Sequence, residues 1–218
     1  MKSSWDSTLS RTQYHYDTKI MDPRFDTVIR LGHIEPTWQA QLTDIIANSA
    51  PASWRTRGDP TKPSRPEEEL SAEEYDLERA GYDKDTKVTN LNWAIPDNLQ
   101  QISDAFGLYD PMTRIHVQHP GQVWNLHLDK LEKWNREDPA TVVRYMIQLT
   151  DWQPGQFWSY GNYLFTGWSA GDVTTFDWAN VPHSTANAGH TPRVTLQVTG
   201  VKTEKTTAFL AELSSGNK

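Results

Sequence analysis

The 218-residue chain contains no cysteine, which excludes disulfides, thiolate zinc sites, iron–sulfur clusters and a cysteine nucleophile. Any metal must be held by histidines and carboxylates. No apolar run approaches the roughly 18 residues of a membrane span, and the opening segment MKSSWDSTLSRTQYHYD lacks the apolar stretch of a signal peptide. The expectation is a soluble, cytoplasmic protein with no membrane partner. Positive charge is in short supply: 21 Lys+Arg stand against 28 Asp+Glu, a formal charge of -7. The deficit is N-terminal, with 12 basic against 19 acidic residues in 1–110 and 9 against 9 in 111–218. This disfavours nucleic acid as the main partner. There is no internal repeat and no glycine-rich phosphate loop.

What the chain does have is aromatic mass. Hydrophobic residues make up only 36%, yet there are ten Trp, eight Tyr and six Phe, so a core must rest on large rings. The length fits a single domain, 1–218, with an N-terminal helical and loop elaboration over 1–110 and a core over 111–218. In the elaboration, PTWQAQLTDIIANSA from Pro36 to Ala50 sets Trp38, Leu42, Ile45 and Ile46 on one helical stripe. A second short helix is predicted from Pro96 to Phe106 and another within SAEEYDLERAGY. Four prolines and four basic residues in 51–66, followed by nine acids in 67–85, read as an exposed loop with a solvated acidic face.

After Tyr109 the pattern changes to seven short β-rich runs separated by Pro, Gly, Asn and Asp: TRIHVQ, QVWNLHLD, TVVRYMIQLT, QFWSYGNYLFTG, DVTTFDW, HSTAN and RVTLQVTGV. Runs of this length and spacing predict a closed or sandwiched antiparallel sheet, and without alternating long helices a doubly wound fold is disfavoured.

Strand alternation in QVWNLHLDK puts Asn125, His127 and Asp129 on one face and Trp124, Leu126 and Leu128 on the other. His-x-Asp on one strand offers two metal ligands, and His183 in a later candidate strand offers a third. Two histidines and one carboxylate occupy one face of an octahedral ion and leave three positions open, the arrangement expected of non-haem Fe(II). Ten residues after His183 stands Arg193, on a strand face shared with Thr195, Gln197 and Thr199. It is one of two Arg or Lys residues between Asp138 and Lys202, and a rigid guanidinium beside a hydroxyl suits a carboxylate.

In order, HPGQVWNLHLD, VVRYMIQLTDWQPGQF, SAGDVTTFDWANVPHSTANAG and PRVTLQV resemble the successive motifs of the Fe(II)/2-oxoglutarate-dependent dioxygenase superfamily, most nearly its prolyl-hydroxylase-like branch. The resemblance covers about 90 residues, Arg114 to Val201. It implies a mainly β double-stranded β-helix, or jelly roll, with flanking N-terminal helices. It further implies Fe(II) held by His127, Asp129 and His183, and 2-oxoglutarate held by Arg193 with Thr195, with Tyr145 adding a phenol. The activity implied is hydroxylation of a C–H bond in a small molecule or peptide. His119 and Trp124 stand where the superfamily commonly has tyrosines. His116 and His119 are expected at the pocket; His15, His33 and His190 are read as structural or solvated. The rival expectations are a jelly-roll binding module and a cupin-like metalloenzyme without 2-oxoglutarate.

Overall fold

The computed structural model describes residues 28–56, 58–59, 83, 85–127, 129, 135, 137–161, 163–178 and 181–216. The helix expected in SAEEYDLERAGY and most of the loop and acidic run of 51–85 lie outside them. Ten strands are named among the described residues: β1 (Ile29–His33), β2 (Asn90–Asn92), β3 (Tyr109–Gln118), β4 (Val123–His127), β5 (Val142–Gln148), β6 (Gln156–Tyr160), β7 (Tyr163–Phe165), β8 (Asp172–Thr175), β9 (His183–Asn187) and β10 (Arg193–Val201). Three α-helices accompany them: α1 (Gln39–Ala47), α2 (Asp97–Ala105) and α3 (Glu204–Ser215).

From β3 onward the pairing is nested. The first strand pairs with the last (β3 with β10), then β4 with β9, β5 with β8, and β6 with β7, all antiparallel. A long two-stranded ribbon has thus wound on itself. Its turns close through further antiparallel contacts of β10 with β5 and of β9 with β6. The result is a larger sheet ordered β1-β8-β5-β10-β3-β2 facing a smaller one ordered β4-β9-β6-β7. This is the double-stranded β-helix, a mainly β fold with few helices. The run QFWSYGNYLFTG is two strands rather than one, because Gly161 takes φ 56° between Tyr160 and Tyr163. The N-terminal region also contributes strands: β1 extends one edge of the larger sheet and β2 the other.

The burial of β10 explains how a polar strand becomes the centre of the molecule. Every residue from Arg193 to Gly200 is buried. Val194, Leu196 and Val198 share one cluster with Ile115 and Val117 of β3, Tyr145 and Ile147 of β5, the helix residues Ile45 and Leu99, and Trp38 at the N-cap of α1. The apolar parity therefore faces outward, under the helices, and the polar parity, Arg193, Thr195, Gln197 and Thr199, faces into the roll. Helix α1 is tied down by the Trp38 indole, whose Nε1 donates to the Leu149 carbonyl at 2.8 Å. Phe106, just after α2, stacks on Tyr145 at 4.8 Å and meets Phe209 of α3 edge-on at 4.9 Å. Thr203 caps α3 by a reciprocal pair of bonds with Thr206.

Tyr145 is consequently not a site residue. It is 3% exposed and belongs to the helix-covered layer, and burial pushes its phenol up to about 12. A residue on the outer parity of β5 cannot meet a ligand inside the roll, which corrects the sequence expectation.

Gly171 joins β1 to the start of β8. Its N–H donates to the Gln148 carbonyl at 2.7 Å and its carbonyl accepts from Ile34 N–H at 2.9 Å. It sits at φ 96°, and a Cβ would meet the Ile34 carbonyl oxygen and lie 2.6 Å from the His33 ring. Gly171→Ala is expected to destabilise the protein by about 2–4 kcal/mol, from the strained backbone and overpacking together. An unchanged urea midpoint would contradict it.

Candidate metal centre

His183 opens β9 and pairs across the smaller sheet with His127 at the end of β4. Asp129 follows two residues later, with its N–H donating to the Trp178 carbonyl at 3.0 Å. The three bring ligand atoms within 4.8 Å of one another and could hold a metal ion. Asp129 Oδ1 is 3.8 Å from His127 Nε2, and Oδ2 is 3.6 Å from His183 Nε2.

The donor chemistry fits a divalent cation. His127 Nδ1 is 2.8 Å from the Asn125 carbonyl oxygen, and His183 Nδ1 is 3.0 Å from that of Val181. A carbonyl only accepts, so in both rings Nδ1 carries the proton and Nε2 presents a lone pair toward Asp129. Burial lowers the pKa of His127, and burial followed by the neighbouring His127 ring lowers that of His183 to about 3. Burial alone would raise the Asp129 carboxyl, but Arg144, His183 and His127 outweigh it and hold it well below the usual carboxylate range. Neutral imidazoles beside an ionised carboxylate are the protonation states that metal binding needs.

Sequence reasoning missed Arg144. Its guanidinium forms a close ion pair with Asp129 Oδ2, and its Nε donates to Thr199 Oγ1 at 2.9 Å. It stacks 5.1 Å over Trp178, whose Nε1 donates to the Arg144 carbonyl at 2.9 Å. The available signal was a lone arginine in VVRYMIQL on the parity opposite Tyr145. Trp124 is a second difference. Alternation separated it from His127, yet Trp124 pairs with Thr185 and His127 with His183, so three steps on β4 match two on β9. This bulge turns both side chains into the roll, with ring centroids 6.3 Å apart.

A small cavity beside the ligands is lined by His127, His183, Arg114, His116, Arg144, Gln197 and a wall that includes Trp124, Trp158 and Trp178. His116 thus lines the cavity as expected, and His119 is not among its residues. Arg193 and Thr195 lie on the interior parity without lining it. Arg193 is 1% exposed, its Nη1 donates to the Phe157 carbonyl at 3.2 Å, and its guanidinium lies 4.6 Å over Trp158 and 5.7 Å from the ring of Trp168. Its Nη2 has no hydrogen-bond partner among the described residues. Thr195 Oγ1 donates to Gln148 Oε1 at 3.1 Å.

The buried imidazoles imply a pH dependence. Burial and then Arg114 lower the pKa of His116 as well, so three histidines are neutral in the fold and gain protons on unfolding near pH 6.5. Stability is complete above pH 6.5 and falls as pH drops toward 3, the folded value for His183. For His183 alone the loss at pH 5 is roughly 2 kcal/mol, at about 1.4 kcal/mol per pH unit. Chelator-treated protein is expected to melt at a clearly lower temperature at pH 5 than at pH 7.5; a flat profile would count against neutral buried histidines.

Comparison with protein-family models finds no matching family, and comparison with curated proteins finds no matching relative. Among solved structures, similarity is found to a predicted oxalate decarboxylase of Thermotoga maritima, at 15% identity and TM-score 0.34 over 52% of this chain and 80% of that one. A Cupin 2 conserved barrel domain protein of Salinispora arenicola CNS-205 aligns at 11% identity and TM-score 0.33, over 57% and 84% of the two chains. A conserved protein with a double-stranded β-helix domain from Klebsiella pneumoniae aligns at 17% identity and TM-score 0.31, over 42% and 68%. Strand order and register define the fold as a double-stranded β-helix. No helix among the described residues is long and apolar enough to cross a membrane.

Proposed function

We propose that the protein is an Fe(II)- and 2-oxoglutarate-dependent oxygenase that hydroxylates a C–H bond of a small-molecule or peptide substrate. The observation that carries this reading is the convergence of His127 Nε2, His183 Nε2 and the Asp129 carboxylate inside a double-stranded β-helix, with a buried guanidinium, Arg193, offering a free donor deeper in the same roll. A bound iron would supply oxygen activation, coupled to conversion of 2-oxoglutarate to succinate and CO₂ as the substrate gains a hydroxyl.

The chain's own residues divide the remaining work. Arg144 orients the Asp129 carboxylate, and the two backbone carbonyls hold the imidazoles in the Nε2-ligating tautomer. Phe176 and Trp178 pack edge-on against His183 at 4.8 and 5.1 Å and keep water from its buried side. Phe157, which binds Arg193, pairs with Ala186, three residues along β9 from His183, or roughly 10 Å. That separation suits a five-carbon dicarboxylate with one end at the metal and the other at Arg193 and Thr195. The cavity volume is about 30 Å³, room for about one water, so seating the dicarboxylate requires Trp158 to turn away from Arg193.

The sealing of Arg193 beneath Trp158 favours one second reading, a cupin-like metalloenzyme that does not use 2-oxoglutarate. The deciding experiment loads the protein anaerobically with Fe(II) and 2-oxoglutarate, admits oxygen, and measures succinate in the presence of peptides, amino acids and other small metabolites. Succinate release that requires all three components supports the oxygenase; metal binding with no succinate under any condition supports the second reading.

A further inference from the structure

Arg114 is an interior guanidinium that the reading above leaves without work. It lies on the interior parity of β3, directly across from Gln197 of β10, and it lines the metal-side cavity. Its Nη2 donates to Gln197 Oε1 at 3.0 Å, a neutral acceptor, and its buried Nε has no hydrogen-bond partner among the described residues. The guanidinium sits 5.8 Å from the ring of Trp93, a residue 41% exposed, so Arg114 borders the side of the roll that opens outward. Gln197 is held in place from below, its Nε2 donating to Thr199 Oγ1 at 3.1 Å, the same hydroxyl that accepts from Arg144. Burial, followed by repulsion from Arg144, lowers the pKa of Arg114 to about 9, and Asp129 is the one acid that acts in the other direction.

Charge balance identifies what is missing. Among the described residues, the roll interior around the cavity holds Arg114, Arg144 and Arg193 against one carboxylate, Asp129. A divalent metal adds two positive charges and 2-oxoglutarate removes two, so loading the site leaves a net excess of two. With the metal drawing on Asp129 and the co-substrate on Arg193, the excess is carried by Arg114 and Arg144. Buried charges are stable only when paired and hydrogen-bonded, and an arginine fork is satisfied best by a carboxylate.

We infer that Arg114, presented by Gln197, binds a carboxylate of the prime substrate, making this a pocket for organic acids rather than for neutral molecules. The inference rests on the oxygenase reading for the order of filling, and it concerns a different arginine from the one assigned to the co-substrate. A planar three-atom carboxylate suits the narrow cavity better than a tetrahedral phosphate. Leu91, Trp124 and Trp178, which line the same cavity, suit an apolar body behind the acid group, and at about 30 Å³ the cavity must widen to seat that body, as it must for 2-oxoglutarate.

The test uses full-length protein loaded with Mn(II) and 2-oxoglutarate, so that no turnover intervenes, and three matched probes: 3-phenylpropionate, its primary amide and phenethyl phosphate. Tryptophan fluorescence and calorimetry give the affinities. The acid is expected to bind at least tenfold more tightly than the amide, Arg114→Gln to shrink that preference to within about threefold, and Arg114→Lys to keep part of it. Affinities for Mn(II) and 2-oxoglutarate, measured first on each variant, are expected to stay within about threefold of the parent. Equal binding of acid and amide by the parent, an acid preference that survives Arg114→Gln, or tighter binding of the phosphate would each overturn the inference. If 2-oxoglutarate itself fails to bind the Mn(II) protein, the oxygenase reading falls separately; the acid-against-amide comparison is then run on the Mn(II) protein alone and decides Arg114 on its own.

Discussion

Replacing His183 with alanine is expected to weaken divalent-metal binding by at least two orders of magnitude and to abolish turnover. Loss of a residue that merely orients a ligand costs about 10–100-fold in affinity, and here one of three ligands is removed outright. His183 is 2% exposed and enclosed by Phe176 and Trp178, so the alanine also leaves a cavity and some stability is lost with it. His183→Gln retains most of the volume and separates the two effects. Calorimetry with Mn(II), alongside a thermal melt, is the measurement. The same loss is expected for His127→Ala. Asp129→Asn removes a ligand and also leaves Arg144 facing a neutral amide, and breaking a buried ion pair costs about 3–5 kcal/mol, so this variant is expected to be the least stable of the three. If all three bound Mn(II) like the parent, the metal would have to be sought elsewhere.

Arg193→Gln is expected to raise the dissociation constant for 2-oxoglutarate by about two to three orders of magnitude while leaving metal affinity nearly unchanged. A guanidinium–carboxylate pair in a dry interior is charge-assisted, and removing one partner costs roughly 3–5 kcal/mol, at about 1.4 kcal/mol per factor of ten. Thr195→Val is expected to cost on the order of 1 kcal/mol, as for a neutral hydrogen bond. Tyr145→Phe serves as the internal control. Its ring is packed on Phe106 outside the roll, so its removal leaves 2-oxoglutarate affinity where it was. An Arg193→Gln protein with parental affinity for 2-oxoglutarate would favour the cupin-like reading.

The β10 strand illustrates how much of the site was legible before the fold. Its alternation separates Arg193, Thr195, Gln197 and Thr199 from Val194, Leu196 and Val198 without reference to any other element. Alternation specifies parity, but it is silent on which parity faces the interior. The simplest reading of a polar parity is a wet edge, whereas β10 lies between β5 and β3 and is buried on both faces. The reversal follows from the helices: α1, α2 and α3 cover the apolar face, so the polar face has only the inside of the roll to occupy. Arg114 and Arg144 escaped notice for the same reason: nothing in their own strands says that their parity lines the interior with Gln197.

Local residue chemistry, by contrast, needed no fold. The lack of cysteine restricted any metal to His, Asp and Glu, the strand runs after Tyr109 determined a mainly β class, and His127, Asp129 and His183 stood out as candidate ligands by type and spacing. These are properties of short segments, where side-chain pattern and turn residues act over a few positions. The tertiary structure alone decided the rest: that β4 bulges so Trp124 joins His127 inside, that Tyr145 is excluded, and that among the described residues three guanidiniums share an interior with one carboxylate. Those outcomes depend on register and on which faces are covered, which are settled by pairings between residues as far apart as Arg114 and Gln197 and so cannot be read from any single stretch of chain.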